Sequence, residues 1–526
     1  MNRTAWMRAL RATAKYALRV GIVVATVAVL SIGMYAIAAY CPLRIGVDLT
    51  DERQTVAGFG ASSAWTFQRM GRDATEQVKR DSVEMLYGQS GLALNIYRYN
   101  IGGGSADAAL DAREPYNQAW FDADRRAESF FVAERYGQMS DFSDPNNYDF
   151  ETRDQGALEM FARSLATGNV EQVVFFANSP HYLMTQSGLC TGAQVQQNNL
   201  RPECYEAFAD YLLISVQGIY DRYLAHLPVA PQVSISPINE PQWDWGGPDA
   251  TQEGCHYDPQ ELARFADVFM TRLQAWNRAH GTTFEGDLFE SGNYKFYSGR
   301  DDVRDYLQAL ESYDWFRSLR SVSVHAYGAE DSVGHRRKFA DYLRKRYPEK
   351  KVSVTEFCEM EEGRFDTMRS GLFLGKVINR DLSIVQATDW SWWLAVSSGD
   401  YNDGLVYWDT DAAGNQKLSV LKRYYVMGHF SKFLDRGDVA LGATCSDLTG
   451  WAGLDYSAYR KADGSVVLIV LNDGCAKSLR VGGLDAYATA QYTVTDPTCN
   501  WQTSESAWQG RLELPAHSAV TVVLSP

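Results

Sequence analysis

A (β/α)8 barrel of the TIM type followed by a β-sandwich is the fold class that the sequence predicts, on three observations. Short apolar or β-branched runs alternate with long, partly helical connections across residues 55–432. After residue 433 the helical periodicity stops, and β-rich runs punctuated by Asp463-Gly464, Asp473-Gly474 and Gly482-Gly483 take over. The composition, 45% hydrophobic and 22% charged over 526 residues, is that of a globular chain long enough for one large core or two domains.

The elements follow in order. Residues 20–41 carry no charge, and the tail 1–19 before them holds Arg3, Arg8, Arg11, Lys15 and Arg19 with no acid. At about 1.5 Å per residue such a run spans a bilayer core of about 30 Å, and the bases keep the short tail in the cytosol. A single-pass membrane anchor is therefore expected. The alternative is a signal peptide cleaved at the small-x-small pattern Ala36-Ile37-Ala38. Both readings place the body outside the cell, at the membrane face or secreted.

Residues 42–54 read as a linker with an edge strand joining the sandwich. Candidate barrel strands are 55–59, 94–99, 173–177, 232–236, 283–289, 321–325, 351–355 and 387–392, with helical patterns at 205–224 and 259–278. Eight strands alternating with helices fit a barrel with enlarged loops better than a doubly wound open sheet. The runs 465–471, 490–495 and 519–524 supply sandwich strands.

Charge and cysteine narrow the partners. The net charge is -15, and without residues 1–41 the body has 45 bases against 65 acids. Such a surface repels a phosphate backbone, so no nucleic-acid partner is expected. In an exported chain some of the eight cysteines are expected to pair, Cys190 with Cys204 and two of Cys445, Cys475 and Cys499, leaving Cys358 as a buried thiol. Neither a C-x-x-C pair nor zinc spacing occurs, so no metal is expected. Gly102-Gly103-Gly104-Ser105 lacks the spacing and lysine of a phosphate loop, and neither G-x-S-x-G nor H-E-x-x-H is present.

In a barrel the chemistry sits at the C-terminal strand ends. The fourth candidate strand ends Pro237-Ile238-Asn239-Glu240-Pro241 and the seventh ends Val354-Thr355-Glu356-Phe357. Two glutamates facing each other across the barrel mouth are what glycosidic cleavage requires: one protonates the departing oxygen, the other attacks or stabilises the anomeric carbon. Asn239 is placed to bond the hydroxyl beside that carbon. Arg98, ending strand two, is the expected cation beside Glu356, and His325 and Tyr327, ending strand six, are expected to bond Glu356 or the sugar. Trp65, Tyr182, Trp243, Trp245, Tyr294 and Trp390, with Trp392 and Trp393, fall on loops or strand ends, where aromatic faces stack on sugar C–H surfaces. Packing is the competing role for each of these rings.

Six stretches carry a resemblance: Gly58-Phe59-Gly60-Ala61-Ser62, Tyr97-Arg98-Tyr99-Asn100-Ile101-Gly102-Gly103, Ala177-Asn178-Ser179-Pro180, Pro237-Ile238-Asn239-Glu240-Pro241, Gln252-Glu253-Gly254-Cys255 and Thr355-Glu356-Phe357. Together they resemble glycoside hydrolase family 30, and the Asn-Ile-Gly-Gly, Ala-Asn-Ser-Pro and Gln-Glu-Gly-Cys segments are most similar to its endo-β-1,6-galactanase branch. Tyr182-Leu183-Met184 and Thr355-Glu356-Phe357-Cys358 depart from that branch, which usually has more tryptophan at the first and Ser-Glu-Tyr-Gly at the second.

The resemblance implies retention of anomeric configuration, with Glu240 as acid/base and Glu356 as nucleophile. It also implies Asn178 among the substrate-binding residues, no cofactor, and a polysaccharide substrate, β-1,6-galactan of arabinogalactan side chains. Alternatives are another β-glycan hydrolase of the family, a glucosylceramidase-like exo-enzyme, or a non-catalytic carbohydrate-binding surface protein.

Overall fold

The computed structural model describes residues 15–16, 19–26, 43–111, 125–247, 250–298, 301–447, 450 and 452–526. The expected membrane or signal segment 20–41 lies largely outside the described residues. Among the described residues no helix is long and apolar enough to cross a membrane.

After a long strand β1 (Arg44–Thr55) come β2 (Gly58–Ser62), β3 (Ile96–Asn100), β4 (Gln172–Phe176), β5 (Gln232–Ser236), β6 (Glu285–Gly286), β7 (Glu290–Ser291), β8 (Ser321–His325), β9 (Lys351–Glu356) and β10 (Asp389–Ser397). Their hydrogen-bonded order is β6-β5-β4-β3-β2-β10-β9-β8-β7, with every pairing parallel. β6 and β7 are the two halves of one fifth strand, so the path closes on itself as a barrel. Helices cover the outer faces of the strands, so β4 reads as a near-continuous apolar run, while β5, β8 and β9 alternate valine or isoleucine with serine. Tyr97 and Tyr99, for example, point outwards and meet Phe161 of the helix Gln155–Leu165 edge-on. Arg98, between them, points inwards.

The fifth strand departs from the uninterrupted 283–289 run expected. Leu288 adopts φ 54°, and the Phe289 amide turns back to the Asp287 carbonyl, so pairing stops and resumes at Glu290. A hairpin of β11 (Gly404–Thr410) and β12 (Gln416–Val420), hung on β10, was not anticipated.

Eight further strands follow: β13 (Val439–Cys445), β14 (Leu454–Arg460), β15 (Val466–Asn472), β16 (Lys477–Gly482), β17 (Thr489–Thr495), β18 (Gln502–Ala507), β19 (Arg511–Leu514) and β20 (Ser518–Ser525). With β1 they form one nine-stranded sheet, ordered β18-β17-β20-β15-β14-β13-β1-β16-β19. β1 was expected at an edge and is instead interior, antiparallel to β13 and parallel to β16. The sheet closes over its own apolar side, since Val481 and Leu512 from one end share a core with Val520 and Val522 from the other.

β15 joins the two units. It is buried along its whole length, and its alternate residues serve different cores: Val466, Leu468 and Val470 fill the sandwich, while Val467, Ile469 and Leu471 pack with the barrel. A two-residue period makes this division automatic. The helix Lys422–Ser431 adds a polar tie, with His429 placing Nδ1 2.8 Å from Thr521 Oγ1 and Nε2 2.9 Å from Thr495 Oγ1.

Burial lowers the His429 pKa from 6.5 to about 3. The unfolded chain therefore takes up a proton near pH 6.5 that the folded protein refuses until about pH 3. This contribution to stability is complete above pH 6.5 and is lost as the pH falls through that window, at about 1.4 kcal/mol per pH unit. His429→Gln should flatten the decline of Tm between pH 6.5 and 4.5 relative to the wild type; parallel Tm–pH curves would refute this account.

The expected disulfides are corrected: all seven described cysteines are free. Cys190 lies in a small cluster with Leu110, Tyr182 and Leu189, whereas Cys204 is part of the main barrel core, so the two thiols occupy separate environments.

Candidate active site

The C-terminal strand ends converge on a buried ionic network. Glu356, the last residue of β9, accepts from Arg98 Nη1 at 3.3 Å through Oε2 and from the Tyr327 hydroxyl at 3.0 Å through Oε1. Arg98, fully buried on β3 with its guanidinium over the Phe176 ring at 4.3 Å, sends Nη2 to Glu290 Oε2 at 2.8 Å. His325, which β8–β9 pairing places opposite Glu356, has Nδ1 2.8 Å from Glu240 Oε1 and 3.6 Å from Glu356 Oε1, and Nε2 3.3 Å from Glu290 Oε2. Carboxylate oxygens of Glu240 and Glu356 and a ring nitrogen of His325 all lie within 4.8 Å of one another.

Glu240 is held there by its backbone. It follows Asn239, which bridges to Glu290, and its own amide donates to the Glu290 carbonyl at 2.8 Å. It sits at φ 47°, a left-handed conformation that a non-glycine residue adopts at a cost of about 1–3 kcal/mol and that concentrates at functional sites. Gly292 leaves room for the arrangement, because a Cβ there would lie 2.1 Å from Trp243 Nε1 and 3.0 Å from Glu240 Oε1.

Burial alone would drive protons onto the carboxylates and off the histidine, and charge pairing decides otherwise for two of the groups. Burial works to raise Glu290, yet Arg98 and His325 pull it down to about 2. Burial opposes the charge on His325, but Glu356, Glu240 and Glu290 around it raise it to about 10, so the ring is an imidazolium. On Glu356 burial wins and raises it to about 7, although His325 and Arg98 oppose the rise. Two cations, Arg98 and His325, thus face three carboxyl groups. Glu240, His325 and Glu356 have the donor types of a metal site. Both His325 nitrogens already lie within hydrogen-bond distance of a carboxylate, Nδ1 of Glu240 and Nε2 of Glu290.

Glu290 is the functional-site residue that sequence reasoning missed. Its signal was a carboxylate one residue beyond the candidate run 283–289, obscured because the strand breaks just before it.

A second carboxylate explains the Gln-Glu-Gly-Cys stretch. Glu253, fully buried, accepts the Gly103 amide at 3.0 Å, the Ser105 amide at 3.2 Å and the Ser105 hydroxyl. The glycine-rich loop 102–105 does form a cradle, and what fills it is the protein's own carboxyl group, which burial pushes up to about 7 against the loop's hydrogen bonds.

The family model described as O-glycosyl hydrolase family 30 matches residues 42–407, and that of the glycosyl hydrolase family 30 β-sandwich domain matches residues 440–522. The chain belongs to glycoside hydrolase family 30. An endo-β-1,6-galactanase of Hypocrea rufa is 23% identical over 485 residues, covering 90% of each chain. An exo-β-1,6-galactobiohydrolase of Bifidobacterium longum subsp. longum is 26% identical over 230 residues, 39% of this chain and 14% of that protein. The crystal structure of a conserved exported protein from Bacteroides fragilis superposes with TM-score 0.74 at 22% identity, covering 91% of this chain and 99% of that one.

In this family 30 hydrolase the remaining sequence candidates divide. Asn178 and Asn239 are buried, and each has a side-chain oxygen without a hydrogen-bond partner. Trp243 is half-buried beside Glu240. Trp245, also half-buried, donates Nε1 to the Glu240 carbonyl at 2.9 Å and is a brace for that loop. Trp65, at φ 54°, meets Trp393 edge-on at 5.2 Å, and its buried indole N–H lacks a partner.

Three expected sugar platforms are corrected to core residues, because a ring with no exposed face cannot stack on a saccharide. Tyr182 is 1% exposed and stacks on His181; Tyr294 and Trp390 are 0% exposed and bond Asp381. Trp392, also 0% exposed, shares the outward face of β10 with Trp390, and both pack against Phe357.

Proposed function

We propose that this family 30 hydrolase is a retaining endo-glycosidase that cleaves β-1,6-linked galactan by double displacement. The observation that carries the mechanism is the approach of Glu240 and Glu356, oxygen atoms within 4.8 Å, inside one network with Arg98 and His325. Retaining enzymes need their carboxyl groups about 5–5.5 Å apart, whereas inverting enzymes leave about 6.5–9.5 Å for a water. The 1,6-galactan substrate is supported by the two relatives named for that linkage.

Glu356 is the nucleophile in this reading. Arg98 and Tyr327 aim donors at its two oxygens and favour the anion that attacks the anomeric carbon. Glu240 gives a proton to the departing oxygen, then removes one from the water that releases the glycosyl–Glu356 ester. His325 lies within reach of both carboxylates, with Nδ1 2.8 Å from Glu240 Oε1 and 3.6 Å from Glu356 Oε1, and holds the two side chains towards one point. Glu290 takes no part in bond making; it keeps Arg98 and His325 charged and in place.

The test is hydrolysis of a panel of β-linked glycans: 1,6-galactan, 1,6-glucan, xylan and a glucosyl lipid. Release of 1,6-galacto-oligosaccharides of mixed length, with the β-anomer formed first by NMR, is the expected result. Cleavage of another glycan alone would overturn the substrate, and first formation of the α-anomer would overturn the mechanism.

A further inference from the structure

Glu240 lies beyond the end of β5, in a left-handed conformation at φ 47°, so its own strand does not set where its carboxyl points. A backbone strained in this way persists only where its surroundings over-determine it. On the carbonyl side two donors do so: the Glu240 oxygen accepts the Trp243 amide at 3.2 Å and the Trp245 indole Nε1 at 2.9 Å. The first bond belongs to the local turn. The second comes from a side chain whose own position is set by two neighbouring loops. We propose that Glu253, Gly254 and Trp245 form a strut that aims the acid, and that Glu253 and Trp245 are positioning residues for proton donation to the departing oxygen. The inference rests on the proposed role of Glu240 as the acid.

The strut joins the loops that follow β3, β4 and β5. At its far end the fully buried Glu253 carboxyl grips the loop after β3, where Oε2 accepts the Gly103 amide at 3.0 Å and Oε1 the Ser105 amide at 3.2 Å. The next residue, Gly254, donates its amide to the Cys190 carbonyl at 2.9 Å, in the loop after β4. The Trp245 indole packs on Gly254 so closely that a Cβ there would lie 2.5 Å from ring atom Cδ2. The Trp245 main chain is tied to the same loop, its carbonyl accepting the Gly192 amide at 3.0 Å. Ring and backbone of Trp245 are thus both located before Nε1 reaches Glu240.

Filling space against a glycine requires only a ring, and phenylalanine would serve. The single N–H of this indole is aimed at the one peptide whose rotation would swing the acid. The Glu240 amide is held from the other side by the Glu290 carbonyl at 2.8 Å, so both peptides that flank the Glu240 side chain are pinned. Proton transfer needs donor and acceptor about 2.6–3.2 Å apart, and a displacement of about 1 Å at such a group costs about 10²-fold in rate. The loss grows with the basicity of the leaving oxygen. A sugar or phenol depends on the donated proton, whereas dinitrophenolate is stable enough to depart without it.

The test uses the whole chain and compares the wild type, Trp245→Phe, Glu253→Gln and Glu240→Gln on aryl β-1,6-galactobiosides whose leaving groups run from phenol to dinitrophenol. Trp245→Phe keeps a ring against Gly254 and removes only the donor. Glu253→Gln leaves one oxygen for the loop and sets an amide nitrogen against the other backbone N–H. In both, kcat/KM for the phenyl substrate should fall about tenfold, the worth of one hydrogen bond, while that for the dinitrophenyl substrate stays within about twofold of the wild type. Equal losses on both substrates would mark general structural damage, and no loss on either would mark an acid that needs no strut; each result overturns the inference. Glu240→Gln should show the same leaving-group dependence more strongly. If it depresses both substrates alike, the acid assignment itself falls and the strut with it. If another glycan is cleaved and galactan is not, the substrate reading fails by itself, and the comparison is made on aryl glycosides of that glycan.

Discussion

Glu356→Gln should give a folded protein without measurable turnover on any glycan. The amide is isosteric and keeps an oxygen for Arg98 or Tyr327, so the barrel survives, but it cannot form the ester intermediate. Loss of activity by itself would not separate a nucleophile from a structural residue. Glu356→Gly with added azide does: the small anion occupies the vacated face, attacks the anomeric carbon of an activated β-glycoside from the opposite side and yields an α-glycosyl azide. Undiminished hydrolysis by the glutamine variant, or a β-azide from the glycine variant, would remove Glu356 from the role. The matching change at the proposed acid, Glu240→Gln, should lower glycan hydrolysis by about 10²–10⁴-fold, the usual worth of a positioned proton donor.

Arg98→Met should produce the second-largest effect, in stability and in pH dependence together. The side chain is fully buried and joins Glu290 to Glu356. Removing it leaves two buried carboxylates with one cation between them, and breaking a buried pair in this way costs about 3–5 kcal/mol. Arg98 also opposes the burial that raises Glu356 to about 7. Without it that pKa climbs further, and the acidic limb of the pH–rate profile moves towards higher pH. Arg98→Lys retains the charge but cannot fork to two carboxylates, so it should recover part of the pH shift and less of the stability. Thermal unfolding and pH–rate profiles of the three proteins decide the matter; an unmoved acidic limb in Arg98→Met would show that Arg98 acts through packing alone.

Much of this was legible in the sequence, for identifiable reasons. Runs such as Val173–Phe176, apolar on both faces, and Val322–Val324, with valine on one face, mark covered parallel strands. The residues that end them, Arg98, His325 and Glu356, were legible as site candidates because a charge at the rim of an apolar strand needs a purpose or a partner. Glu290 was not, since Leu288 takes a left-handed conformation that no residue type there announces.

Trp390, the corrected aromatic candidate that lies on a strand, failed by parity. On β10, Trp390 and Trp392 face the surrounding layer, where Phe357 receives both, while Trp393, one residue on, meets Trp65. A one-residue difference in where a strand is taken to end exchanges the two sets. The cysteines failed because spacing along the chain carries no information about which core each thiol enters.

The alternating allegiance of β15 has a consequence for anyone dissecting this chain. Because Val467, Ile469 and Leu471 belong to the core shared with the barrel's helices while their immediate neighbours fill the other unit, a cut near residue 433 is no clean seam. The truncated catalytic fragment would present a wet, oily scar, and the excised remainder would present its mirror image. The appendage behaves as a missing wall of the enzyme, and the smallest working version of this hydrolase has to include it.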